Sequence, residues 1–216
     1  MNEPLAPVHS RRRAAVVTVA ALTAAGAAVG ALWSLLAPPI HGVVALTRAG
    51  ERVRAYLGAE ADNFFTAAFM LTGMLLVTAV VAAVAVWQWR AHRGPVLAAA
   101  LAGGCAAGAG AAAGVGAALA HLRYGAIDIA AAPITQENRV HYVLEAPAVF
   151  FGHGPLQIAT FVLFPAAVAA LIYGLCAVST PRDDLGAWPP AEPSALTGRI
   201  GTVDAAPPVV PSPPSR

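Results

Sequence analysis

The sequence predicts an all-α membrane protein: four transmembrane helices in a tight bundle, with two extracytoplasmic loops that fold either as a small β cap or as short helices. Three observations carry this. Of 216 residues, 58% are hydrophobic and only 11% charged, against roughly 25% charged in a soluble domain. The apolar residues fall in charge-free blocks over 14–47, 63–89, 94–122 and 146–181, each long enough to cross ~30 Å of hydrocarbon as a helix. Charged residues gather between the blocks and at the chain ends, so a soluble two-domain enzyme is excluded.

In chain order, residues 1–13 form a cytoplasmic N-terminal tail containing Arg11, Arg12 and Arg13. The first span covers 14–37 and stops at Pro38-Pro39; a cleaved signal peptide is the alternative, but its apolar run would be too long and further spans follow. Asp62 and Asn63 supply N-cap side chains to the second span, 64–88. Gly94-Pro95 opens the third, 95–120, with Pro at its first position. The fourth covers 156–178 and closes at Thr180-Pro181. Together these make a four-span domain over 14–178 with outer loops at 38–62 and 121–155. Residues 179–216 are Pro-rich, cannot bury a core and are expected to be a disordered cytoplasmic tail.

Orientation follows from the arginines. Arg11–Arg13 and the tight Arg90–Arg93 turn crowd one membrane face, whereas Arg48, Arg52, Arg54, Arg123 and Arg139 on the other are mixed with carboxylates. Both termini are therefore expected in the cytoplasm of a plasma (inner) membrane. Trp33, Trp87, Trp89 and Tyr124 lie near span ends and read as interfacial anchors.

The third span has almost no large side chains, so it must pack among other helices. Gly104 with Gly108, Gly110 with Gly114, and Gly26 with Gly30 in the first span have the four-residue spacing that lets backbones approach. Leu97, nearer a span end, is expected to matter less than Gly108. No span interior carries an ionisable Asp, Glu or Arg, which disfavours secondary transport. Thr18, Thr23, Thr72, Thr78 and Thr160 can each bond a carbonyl four residues back. Pro165 is expected to kink the fourth helix. Cys105 and Cys176 lie in spans and read as inert thiols.

The outer loops hold most of the chemistry-bearing side chains. In 38–62, two apolar-alternating runs around Arg48–Glu51 read as a hairpin; in 121–155, Tyr124–Ile129 and Arg139–Leu144 read as another, with Ile127 and Ile129 opposite Asp128. Joined, the hairpins make one cap, which is more stable than either alone. His41, His121, His141 and His153 fall on this side and are weak candidate metal ligands, because their spacings match no compact ligand pattern. There is no Gly-x-Ser-x-Gly, no outer serine and no phosphate-cradling loop. No catalytic or cofactor-binding residue is assigned, and neither a cofactor nor a nucleic-acid partner is expected.

Four stretches, Leu36–Gly42, Glu60–Phe65, Trp87–Gly94 and Glu145–Gly154, resemble an uncharacterised family of actinobacterial membrane proteins, a domain of unknown function, over about residues 14–186. The resemblance implies a four-helix inner-membrane protein of mycobacteria and their relatives and supplies no catalytic residues. The leading functional expectation is a non-enzymatic accessory or scaffold component of the cell envelope, in contact with the lipid bilayer and with other membrane or envelope proteins. The alternatives are a subunit of a small-molecule or lipid transporter and an extracytoplasmic metal-binding protein. Oligomeric state is not readable from these residues.

Overall fold

A computed structural model describes residues 8–125, 129–130 and 132–181. Its elements are helix α1 (Val8–Leu36), strands β1 (Ile40–Leu46) and β2 (Arg52–Tyr56), helix α2 (Asp62–Trp87), a single 3-10 turn (Arg90–His92), helix α3 (Pro95–Tyr124), strand β3 (Val140–Glu145) and helix α4 (Pro155–Val178). All four α-helices are long and apolar enough to cross a membrane. The expected disordered tail lies, from residue 182 onward, outside the described residues.

Helix ends depart from the expected spans at three places. Helix α1 starts at Val8 and so takes Arg11–Arg13 into its first turns, because arginine is a good helix former and Val8–Ser10 contain neither Gly nor Pro. Helix α3 runs on to Tyr124 and ends at Gly125 with φ 73°, so Tyr124 closes a helix where a strand was expected to begin. Residues 126–128, with Ile127 and Asp128, lie outside the described residues. Helix α2 has Ala61 as its N-cap and no capping side chain: Asn63 instead turns back, its Nδ2 donating to Glu60 Oε2 at 2.9 Å and to the Pro39 carbonyl at 3.3 Å.

The bundle is built on a parallel pair. Leu22 meets Gly104 and Gly108, Gly26 meets Gly108, Gly30 meets Ala112, and Trp33 covers Gly116, so contacts advance in step along α1 and α3. A methyl group at Gly108 would sit 2.7 Å from the Leu22 carbonyl oxygen, and one at Gly30 2.8 Å from Ala112 Cα. Backbone therefore lies on backbone, and dispersion contacts that lipid chains could not match hold the helices together. Gly110 and Gly114 do not join this seam. A Cβ on either would meet nothing within 4 Å, because two residues along a helix is a rotation of about 200°, onto the opposite face.

Trp33 is likewise corrected from interfacial anchor to core: it is 0% exposed and its Nε1 donates to the Ala67 carbonyl of α2 at 2.7 Å. Below it, Leu71, Leu75, Ala109, Ala112 and Phe161 fill the interior, and Ala79, Ala83, Leu101, Cys105, Ala169 and Tyr173 continue toward the other end. Leu97, at 2% exposed, is buried with them. The space left among α1, α2, α3 and α4 beside Gly26, Thr78, Gly108 and Pro165 is about 10 Å³, at the lower limit for a single water. Helix α4 continues through Pro165. Thr18, Thr23, Thr72, Thr78 and Thr160 each donate to the carbonyl four residues back, and both cysteines are unbonded.

The strands form one sheet in the order β2-β1-β3, antiparallel throughout. The first hairpin forms as the alternation predicts, turning at Gly50 with φ 84°; the second contributes only β3 among the described residues.

The seam yields a direct test. Gly108→Leu places a side chain where backbone already sits, and overpacking of this kind costs ~1–3 kcal/mol; thermal unfolding in detergent should show a clear loss, whereas Gly110→Leu should be near neutral. Leu97→Ala, which empties a filled site, should also destabilise by ~2–5 kcal/mol.

Candidate functional site

At the end of the bundle that carries the sheet, a cleft of about 540 Å³ opens beneath the strands. Its walls come from β2 and β3 above, the end of α3 and the start of α2 below, and the 146–153 segment at the side. Alternation places the side chains. Register pairs Gly42 with Tyr56 and Val143, Val44 with Arg54 and His141, and Ile40 with Glu145, so these share the face in which Ile40 and Val44 are fully buried. The charged residues of the sheet, Arg52, Arg54 and Glu145, therefore lie on this face, with Tyr56 and His141. Arg54 Nη1 lies 3.0 Å from Glu145 Oε1, Tyr56 Oη donates to Glu145 Oε2 at 3.4 Å, and the Tyr56 ring meets Phe64 edge-on at 5.5 Å. Burial first, and the Glu145 charge second, raise the Tyr56 hydroxyl above the usual phenol pKa, keeping it a proton donor. Further up, Arg52 Nη1 donates to the carbonyls of Ile129 and Ala130, which closes the top of the sheet over Val44, Ala132 and Ile134.

The opposite face is largely apolar, with His41 and Tyr142 as its polar members. The rows Val53–Ala45–Val140 and Ala55–Val43–Tyr142, with Leu144 beside His41, leave Val53 47%, Tyr142 72% and Leu144 45% exposed. These side chains form an exposed, largely apolar strip that His41 interrupts.

The four histidines do not converge. His121 and His153 line the cleft, His141 shares the inward face of β3 beside Val44, and His41 points away on the other face. Among the described residues no three His, Cys, Asp or Glu side chains are grouped to hold a metal ion. His41 has a different partner: its amide and Nδ1 lie 3.2 and 3.1 Å from Glu60 Oε2. That carboxylate also takes Asn63, so one group joins the foot of β1 to the start of α2. The cleft has the volume of a small-ligand pocket, but its lining contains no Ser, Thr or Cys, and Glu145 is already engaged by Arg54 and Tyr56. Arg54 and Tyr56 were not singled out by sequence, although the alternation Arg-Val-Arg-Ala-Tyr-Leu put them on one face; the Glu60 junction carried no sequence signal beyond polarity.

Hydrogen bonds from His41 and Asn63 lower the Glu60 pKa below its ordinary value. A carboxylate lowered in the folded state contributes stability above its unfolded pKa and loses it as pH falls through the lowered folded value. The His41 amide resonance should therefore titrate with a midpoint below the ordinary 4.5, and Glu60→Gln should abolish that titration.

Residues 22–187 match the family described as protein of unknown function, DUF2567. An uncharacterized protein of Mycobacterium tuberculosis is 53% identical over 175 residues, covering 81% of this chain and 91% of its own length. One of Mycobacterium leprae is 49% identical over 176 residues, covering 82% and 89%. No solved structure matches the chain. The chain belongs to the DUF2567 family, an uncharacterised actinobacterial family.

Proposed function

We propose that the protein is a non-enzymatic integral plasma-membrane protein, with both termini and the Arg90–Arg93 turn in the cytoplasm, that serves as an accessory or scaffold of the cell envelope and meets another envelope protein through its sheet. The observation that carries the reading is the inverted sheet: its charged side chains are paired beneath it, and its apolar rows around Tyr142 face outward. Four apolar helices support membrane insertion. The small space among the helices beside Gly26, Thr78, Gly108 and Pro165, about 10 Å³, supports scaffolding over transport. Only His121 and His153 of the four line the same cleft, and no group of three ligand side chains forms among the described residues, which gives the metal-binding alternative less support.

Alkaline phosphatase fused after Ala59 or Gln136 should be active, and fused after His92 inactive; the reverse pattern contradicts the orientation. A photo-crosslinking residue at Tyr142, expressed in its native envelope, should give one discrete protein adduct that is lost with Leu144→Arg. The same probe at Glu137, on the exposed turn before β3, should give none. Equal adducts from both positions, or none from Tyr142, would overturn the contact surface.

A further inference from the structure

Strand β3 lies at one edge of the sheet and β2 at the other. Antiparallel ladders hydrogen-bond at alternate pairs, and the Leu46 amide donates to the Arg139 carbonyl at 2.8 Å. Arg139, His141, Val143 and Glu145 therefore turn their peptide groups toward β1, and Val140, Tyr142 and Leu144 turn theirs to the outer edge. Among the described residues no hydrogen bond engages these outer amides and carbonyls. An open edge is ordinarily guarded by charged side chains, proline or a bulge. The β2 edge has such a guard in Arg52 and Arg54. From Val140 to Leu144, β3 has no arginine, carboxylate or proline, its register with β1 advances without a bulge, and Val140, Tyr142 and Leu144 are all exposed.

This edge is complementary to itself. Antiparallel pairing with a second copy must bring outward-turned residues opposite one another. With Tyr142 on the two-fold axis, Val140 falls opposite Leu144 of the second copy. The same register sets Arg139 opposite Glu145 of the second copy at both ends, on the face beneath the sheet, in the closely spaced pairs where side chains meet. The neighbouring registers set Glu145 opposite Glu137 or His141 instead, so charge selects one register. Both groups have capacity for the contact. Arg139 uses Nε and Nη2 on Gln136, and each Glu145 oxygen accepts one bond, from Arg54 or Tyr56, with a lone pair remaining.

We propose that two copies of this chain pair along β3, antiparallel about Tyr142, and join their sheets into one. About six backbone hydrogen bonds form across the new ladder, with an Arg139–Glu145 contact at each end. The axis of such a pair is perpendicular to the sheet, and the sheet's inward face looks onto α2 and α3. The axis therefore leads into the bundle, and both copies enter a membrane in the same orientation. The pairing goes beyond the envelope-protein reading above: it uses the edge of the sheet rather than its outward face, and it doubles the apolar strip on that face.

The test is disulfide formation by the full chain in its native membrane. Tyr142→Cys faces its own counterpart at a Cα separation of about 5.5 Å, within disulfide reach, so mild oxidation should give a band of twice the mass. Val140→Cys alone lies about 14 Å from its counterpart and should give none above the parent chain, whose Cys105 and Cys176 lie within the helices. Val140→Cys combined with Leu144→Cys should restore the band. Arg139→Glu sets like charges opposite each other at both ends and should weaken the dimer about tenfold by sedimentation in neutral detergent, whereas Arg48→Glu, on the other hairpin turn, should leave it unchanged. No band from Tyr142→Cys, equal bands from Tyr142→Cys and Val140→Cys, or a dimer indifferent to Arg139→Glu would overturn the pairing. A photo-crosslinked adduct at Tyr142 to a protein of another mass, with no disulfide dimer, would overturn the pairing and leave the envelope-protein reading standing; resistance to alkaline carbonate extraction reports membrane insertion separately.

Discussion

The contact of backbone on backbone between α1 and α3, centred on Gly26 and Gly108, is the constraint from which the remaining architecture follows. Helices with side chains at the contact lie 8–10 Å apart; removing the side chains lets them close further and makes every small residue along the seam necessary at once. The pair is parallel, so the end of α1 and the end of α3 emerge side by side. That proximity puts β1, which follows α1 after a three-residue link, over the last turns of α3 and creates the cleft beneath the sheet. Trp33 completes the pair by covering Gly116 while its indole donates to α2, which brings the second helix into the same packing unit.

The two ends of the bundle then divide the polar chemistry. At the sheet end, charges are matched: Arg54 with Glu145, Glu60 with His41 and Asn63, Arg52 with backbone carbonyls. Pairing Arg54 with Glu145 under the sheet leaves its other face largely apolar apart from the His41–Glu60 contact, an arrangement opposite to that of an ordinary solvated sheet. At the other end the described charges are all arginine, of which Arg93 is held against Trp87. One end thus presents a largely apolar sheet face, and among the described residues the charges at the other end are arginines.

Much of the architecture was legible in the sequence because hydrophobic length alone specifies helices of this kind. The four helices and the first hairpin follow from charge-free blocks and from the alternation around Gly50. Faces were harder to read than elements. Gly104, Gly108, Ala112 and Gly116 form one four-residue ladder and Gly110 and Gly114 another, about 200° away; composition cannot choose between them, and only the position of α1 does. Leu97 and Trp33 looked terminal by sequence distance, yet a helix end can be central in a bundle whose neighbours extend past it. Asn63 has the residue type of an N-cap, but the Glu60 carboxylate and the Pro39 carbonyl compete successfully for its amide. The inward turn of Arg54 and Tyr56 was hidden because polarity alone predicts the opposite face, and only Glu145, some ninety residues away in sequence, reverses it.

The dependence of the fold on the α1–α3 seam is tested most directly by a double-mutant cycle on Gly26 and Gly108, using Ala at each and thermal unfolding in detergent. Each single methyl must force the same two backbones apart, so the second adds little once the first has done so. The account predicts that each single variant is destabilised and that the double variant loses much less than the sum, with a coupling of ~0.5–3 kcal/mol. Additive losses, or singles as stable as the parent protein, would mean that the two glycines do not share one contact, and the seam would no longer explain the bundle or the cleft above it.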